Sequence, residues 1–98
     1  MIRYHIRIPP DVEHSVQHLH PKIKAKIRAA LEDIETNPYT GKPLRENLKG
    51  FWSYRVSQYR IVYRIKKEII VVEVIDIAKR TIVYENVAHL LRKKHPVH

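Results

Sequence analysis

Arg55, Arg60 and Arg80 are the side chains of this chain best suited to chemistry. Each holds a permanent charge on a planar fork that can grip two oxygens of a phosphate. They fall in one stretch, residues 48–80 (LKGFWSYRVSQYRIVYRIKKEIIVVEVIDIAKR), whose alternation predicts three consecutive strands. Ser57-Gln58 reads as a two-residue hairpin turn. It pairs Val56 with Tyr59, Arg55 with Arg60, Tyr54 with Ile61 and Trp52 with Tyr63. Trp52, Tyr54, Val56, Tyr59, Ile61 and Tyr63 then share a core face, and Arg55 stands across from Arg60 on the opposite one. Like charges so placed repel by about 1 kcal/mol at a partly exposed site, a cost that internal neutralisation or a bound anion would offset.

A second turn at Lys67-Glu68 extends the reading. It sets Ile65 against Ile70, Tyr63 against Val72 and Ile61 against Val74, with Arg60 facing Ile75 on the other side. The third strand ends at Ile77-Ala78 and is followed at once by Lys79 and Arg80. Arg55, Arg60 and Arg80 are thus expected at one edge of one sheet face, as a phosphate site requires.

The elements that must position them surround this meander. Residues 2–8 (IRYHIRI) alternate as a strand with Ile2, Tyr4, Ile6 and Ile8 on one side. Pro10 is placed to open a first helix with Val12, Val16 and Leu19 inward, and Pro21 breaks it from a second. That second helix buries Ile23, Ile27, Ala30, Leu31 and Ile34, begins with Lys22, Lys24, Lys26 and Arg28, and stops at Asn37-Pro38. Residues 39–50, with Gly41, Pro43 and Gly50, read as a loop. Residues 83–94 suggest a last helix with Val83, Val87, Leu90 and Leu91 inward. The order β-α-α-β-β-β-α implies an α+β fold, an antiparallel sheet with two helices on its apolar face and the arginine face left open.

Ninety-eight residues with 44% hydrophobic content are read as one folded domain spanning 1–98. A net charge of +9 and a pI near 10.0 point to a polyanionic partner: nucleic acid, an acidic protein segment or an anionic membrane. No apolar run reaches the roughly 20 residues of a spanning helix, and no signal-peptide core is seen, so a cytoplasmic protein is expected. The absence of cysteine removes disulfides and Cys-ligated zinc.

The string LKGFWSYRVSQYRIVYRI followed by IDIAKRTIVYE resembles the RelE/ParE superfamily of toxins, and NPYTGKPLRENLKG with the helical pair before it also fits. The resemblance implies the toxin of a type II toxin–antitoxin system with a RelE-like, microbial-RNase-like fold. RelE-type members cut mRNA in the ribosomal A site; ParE-type members poison DNA gyrase. It further implies a cognate antitoxin with an acidic, partly disordered segment, a possible toxin–antitoxin hetero-oligomer, and no cofactor or metal. Carried across by position, Arg55 and Arg60 match the basic hairpin residues, Arg80 the basic residue after the last strand, and Tyr84 the tyrosine that follows in RNA-cleaving members. Lys49 matches a residue that approaches the RNA backbone. Arg55, Arg64 and Lys79 join it as expected RNA contacts. Ser53 stands where some relatives carry a further lysine, and Ala78-Lys79 replaces a common Gly-His.

Cleavage by the 2′-hydroxyl on the adjacent phosphorus needs removal of that proton, compensation of charge on the phosphoryl oxygens and protonation of the leaving 5′-oxygen. Arg60 is assigned to charge stabilisation, Arg55 to positioning, Arg80 to the leaving-group side, and Tyr84 to base stacking or proton transfer. Plainer roles stand beside these. Arg60 and Arg64 can pair with Glu73, Tyr84 can anchor a helix, and the tyrosines and Trp52 of the hairpin can be core. His14 and His18 have the i, i+4 spacing of a metal pair, but no Glu or Cys follows at a recognisable interval. The lysines opening the second helix read as a solvated face. A ParE-like gyrase inhibitor, or a homologue that binds RNA or antitoxin without cutting, is the alternative.

Overall fold

A computed structural model of the chain describes residues 2–94. Strand β1 (His5–Arg7) leads into helices α1 (Pro10–Gln17) and α2 (Pro21–Thr36). Pro10 and Pro21 each occupy the first turn of a helix, where a missing N–H costs nothing. Asn37 ends α2, its N–H reaching back to the Asp33 carbonyl. Strand β2 (Lys42–Pro43) lies inside the segment read as a loop; β3 (Phe51–Val56), β4 (Tyr59–Lys66) and β5 (Val71–Lys79) form the meander, and α3 (Arg80–Lys94) follows β5 directly. The sheet order is β1-β5-β4-β3-β2, antiparallel except for β1, which pairs parallel to β5. The strand predicted over 2–8 is therefore shorter, and Ile2 is exposed.

The first hairpin has the register read from the alternation: Val56 pairs with Tyr59, Arg55 with Arg60, Tyr54 with Ile61 and Trp52 with Tyr63. The second connection differs. Lys67–Ile69 form a 3-10 turn and Ile70 takes a left-handed conformation (φ 55°), so Ile65 pairs with Val72 and Tyr63 with Val74. A two-residue turn at Lys67-Glu68 would favour glycine or asparagine, which this stretch lacks. The slip is two residues, so the buried alternation survives it. A bulge opposite Val62 then takes up one more residue, and Arg60 faces Ala78 rather than Ile75.

Two cores follow. On one face Val12, Ile27, Ala30 and Ile34 of α1 and α2 pack on Val56, Ile61, Tyr63, Val72 and Val74. The other face is not left open, contrary to the expectation from sequence. Phe51 and Val62 lie on it beside the arginines, and Val83 and Val87 of α3 cover them completely, both fully buried. Apolar groups at those positions need a cover from water, and the helix that begins where β5 ends is the nearest one. Leu90, expected inward, is exposed.

Candidate functional site

The β3–β4 hairpin delivers two arginines to the end of the sheet beside the start of α3. In a two-residue hairpin the second pair is of the non-hydrogen-bonded kind, with Cα atoms about 4.5 Å apart, and here that pair is Arg55 and Arg60. Ser57 adopts a positive φ of 56° to make the turn. Arg60 folds back on it, one guanidinium nitrogen donating to the carbonyls of Ser57 (3.1 Å) and Tyr59 (2.8 Å). Those contacts fix the side chain and leave its other N–H groups for a ligand. From the opposite direction, the N–H of Arg80 donates to the Gln58 carbonyl at 2.8 Å, docking the first residue of α3 on the hairpin turn.

Arg55, Arg60, Lys79 and Arg80 consequently line one shallow depression of about 250 Å³, together with Ser57, Gln58 and Thr81. The ion pairs among the described residues are Arg3–Glu35, Arg64–Glu73 and Lys66–Glu73. None involves these four cations, so the depression is a concentration of uncompensated positive charge. Its three guanidinium groups suit a phosphodiester, always charged and able to bind two oxygens at once, and that of Arg60 is also held in place.

Other expected site residues lie elsewhere. Arg64 points away from the depression and pairs with Glu73 at 2.6 Å, its guanidinium 5.7 Å from the centre of the Phe51 ring. Partial burial alone would raise the Glu73 carboxyl, but the bond to Arg64 and the charges of Arg64 and Lys66 bring it below the usual range. Arg64 is thus committed within the chain. Lys49 sits before β3, at the strand end opposite Arg55. Tyr84 is half-buried among the residues under α3, its hydroxyl 2.9 Å from Ser53 Oγ, and it does not line the depression.

One cation escaped the sequence reading. Lys42 pairs with Ser53 across the β2–β3 ladder and, with Thr40, Ser53 and Arg55, lines an adjoining depression of about 350 Å³. Arg55 forms a wall of both depressions. The segment carrying Lys42 is held closely. A Cβ on Gly41 would overlap the Tyr63 hydroxyl, which itself donates to the Pro38 carbonyl at 2.6 Å. Nothing local in TGKPL predicts a two-residue strand, so Lys42 had no signal to be found by.

Comparison with known proteins agrees with this architecture. Residues 6–84 match the family described as the ParE toxin of type II toxin-antitoxin system, parDE. Toxin RelE of Mycobacterium tuberculosis is 37% identical over 83 residues, which cover 83% of this chain and 86% of that protein. The toxin–antitoxin complex RelBE2 of the same organism superposes with a TM-score of 0.71 at 32% identity, over 81% of this chain and 100% of the matched one. A mutant of Escherichia coli toxin RelE in the free state gives 0.74 at 21% identity, over 96% and 99%, a likeness of fold.

Proposed function

The chain belongs to the ParE toxin family of type II toxin–antitoxin systems, and from that premise we propose that it is an endoribonuclease cutting mRNA held on the ribosome. The observation that carries the reading is the gathering of Arg55, Arg60, Lys79 and Arg80 around one depression, with no carboxylate partner among the described residues. In the reaction the 2′-hydroxyl gives up its proton to water and its oxygen attacks the adjacent phosphorus, the bond to the 5′-oxygen breaks as that oxygen takes a proton from water, and negative charge builds on the two non-bridging oxygens. Arg60, braced against its own turn, meets that charge as it develops. Arg55 grips the same phosphate and sets its orientation. Arg80, on the α3 side, lies by the leaving 5′-oxygen. Lys79 adds to the potential that draws the backbone in. Alignment of the message by the ribosome supplies the in-line geometry, which alone is worth several orders of magnitude.

Tyr84 takes a positioning role. Its bond to Ser53 ties the second turn of α3 to β3, and with it the placement of Arg80. The proposed partner that silences the site is a cognate antitoxin whose acidic segment orders over the same cations. A second reading, gyrase inhibition or binding without cutting, is favoured by one feature: among the described residues no histidine or carboxylate lines the depression to move a proton.

Primer extension on cellular messages after induction, with gyrase–DNA complexes assayed in the same cells, separates the readings. New 5′ ends inside translated regions are the expected result. Intact messages with accumulating gyrase complexes would replace the ribonuclease by a ParE-type activity, and neither signal would leave a binding protein.

A further inference from the structure

His14 and His18 lie on α1 and at its end, and neither lines the arginine depression. Their rings converge. The two Nε2 atoms are 3.1 Å apart, the ring centroids 4.5 Å, and the planes meet at 72°. As neutral imidazoles they can hold this contact only with opposite roles at Nε2, one ring donating a proton and the other accepting it. We propose that the pair is a two-ligand site for a divalent first-row transition cation (Zn²⁺, Ni²⁺ or Cu²⁺), which takes the place of the shared proton as the donating ring moves to its Nδ1–H tautomer.

The distance argues for it. With metal–nitrogen bonds of about 2.0–2.1 Å, nitrogens 3.1 Å apart subtend about 98° at the metal, between the square and tetrahedral values. The helix argues for it too: residues four apart share a face, and two histidines at that spacing are a recurrent zinc-binding pair. His18 caps the C-terminal end of α1, its N–H reaching the Ser15 carbonyl while the next residue, Leu19, reaches that of Val16. A cation held there meets the negative end of the helix dipole. Both rings are exposed, so the cation needs no path through the protein.

The chemistry that follows is binding, not hydrolysis. In the helical zinc-protease motif the residue after the first histidine is a glutamate acting as general base. Here it is Ser15, whose hydroxyl donates to the Asp11 carbonyl at 3.0 Å. Among the described residues no third His, Asp or Glu completes the set, so the remaining positions take water or a ligand from another molecule. Magnesium and calcium, which want oxygen donors, are not held by two imidazoles. What the cation does for this chain is to staple the last turn of α1.

The test is calorimetric titration of the purified chain with ZnCl₂, alongside His14→Ala, His18→Ala, the double variant and His89→Ala as a control on α3. Thermal melts with ZnCl₂ or MgCl₂ accompany it. Both rings are exposed, so the variants fold, which melts without metal verify. One zinc is expected in the wild type that the double variant lacks, each single variant weakening it at least about tenfold because the chelate is lost. His89→Ala binds as wild type. Zinc raises the midpoint of the wild type by mass action and leaves that of the double variant unmoved; magnesium moves neither. Equal zinc binding by the wild type and the double variant, or none by the wild type at millimolar zinc, overturns the proposal.

Discussion

At the scale of single residues, the site is built on two arginines that would be better apart. Cross-strand like charges lower stability, and among the described residues no carboxylate pairs with Arg55 or Arg60. Arg55→Ala is therefore expected to melt at the same temperature as the wild type or slightly above it, while cleaving message at least about tenfold more slowly, the trade of stability for function seen at strained sites. Parallel melts and cleavage assays measure both; a clear loss of stability would mean that Arg55 is structural. This opposition was legible because a two-residue turn fixes every pair behind it. For Arg64 the plainer of its two expected roles is the one observed, the pair with Glu73, and the second, irregular turn sets the register that brings Glu73 directly opposite it. Lys49 was carried over by likeness, and its place before β3 puts the length of the strand between it and Arg55.

Among elements, the helices and the first hairpin followed from periodicity and from Pro10, Pro21 and Asn37-Pro38, whereas the short and irregular pieces did not. The bulge at Val62 and the two residues of β2 carry no periodic signal, since both arise from tertiary pairing. The side on which α3 lies was hidden for another reason: the arginines drew the reading of a face whose Phe51 and Val62 demand cover. The segment before β3 depends on Tyr63, buried by the sheet and bonded to the Pro38 carbonyl. Tyr63→Phe leaves that buried carbonyl without its donor and is expected to cost about 1–3 kcal/mol, lowering the thermal midpoint by about 4–8 °C for each kcal/mol. Burial pushes the Tyr63 hydroxyl up to about 12, against 10.0 when unfolded. The folded state holds the neutral phenol, so this contribution is complete below pH 10 and is lost as pH rises from 10 toward 12. Urea unfolding across that range should show a steeper fall in the wild type than in Tyr63→Phe, which keeps only the contribution of other tyrosines such as Tyr54, also shifted up by its bond to Asp33; the same fall in both would assign it to those groups.

For the molecule as a whole, an excess of nine positive charges gives long-range attraction for polyanions, and the fold decides where that attraction becomes specific. The depressions on either side of Arg55 make a cationic path from Lys42 on β2 to Arg80 on α3. A single-stranded RNA bound along it releases one counterion for each phosphate neutralised. Lys42→Ala is expected to reduce the slope of log affinity against log salt by about 1, and Lys49→Ala to leave it unchanged. Fluorescence titrations of a short oligonucleotide at several salt concentrations measure this, and equal slopes for Lys42→Ala and wild type would remove Lys42 from the path.

The most direct test of the central claim is single-turnover cleavage of message on programmed ribosomes by the wild type and Arg60→Ala, with melts of both chains. A loss in rate of at least about 100-fold is expected in Arg60→Ala, with the fold retained. Cleavage at the wild-type rate by a folded Arg60→Ala chain would contradict it.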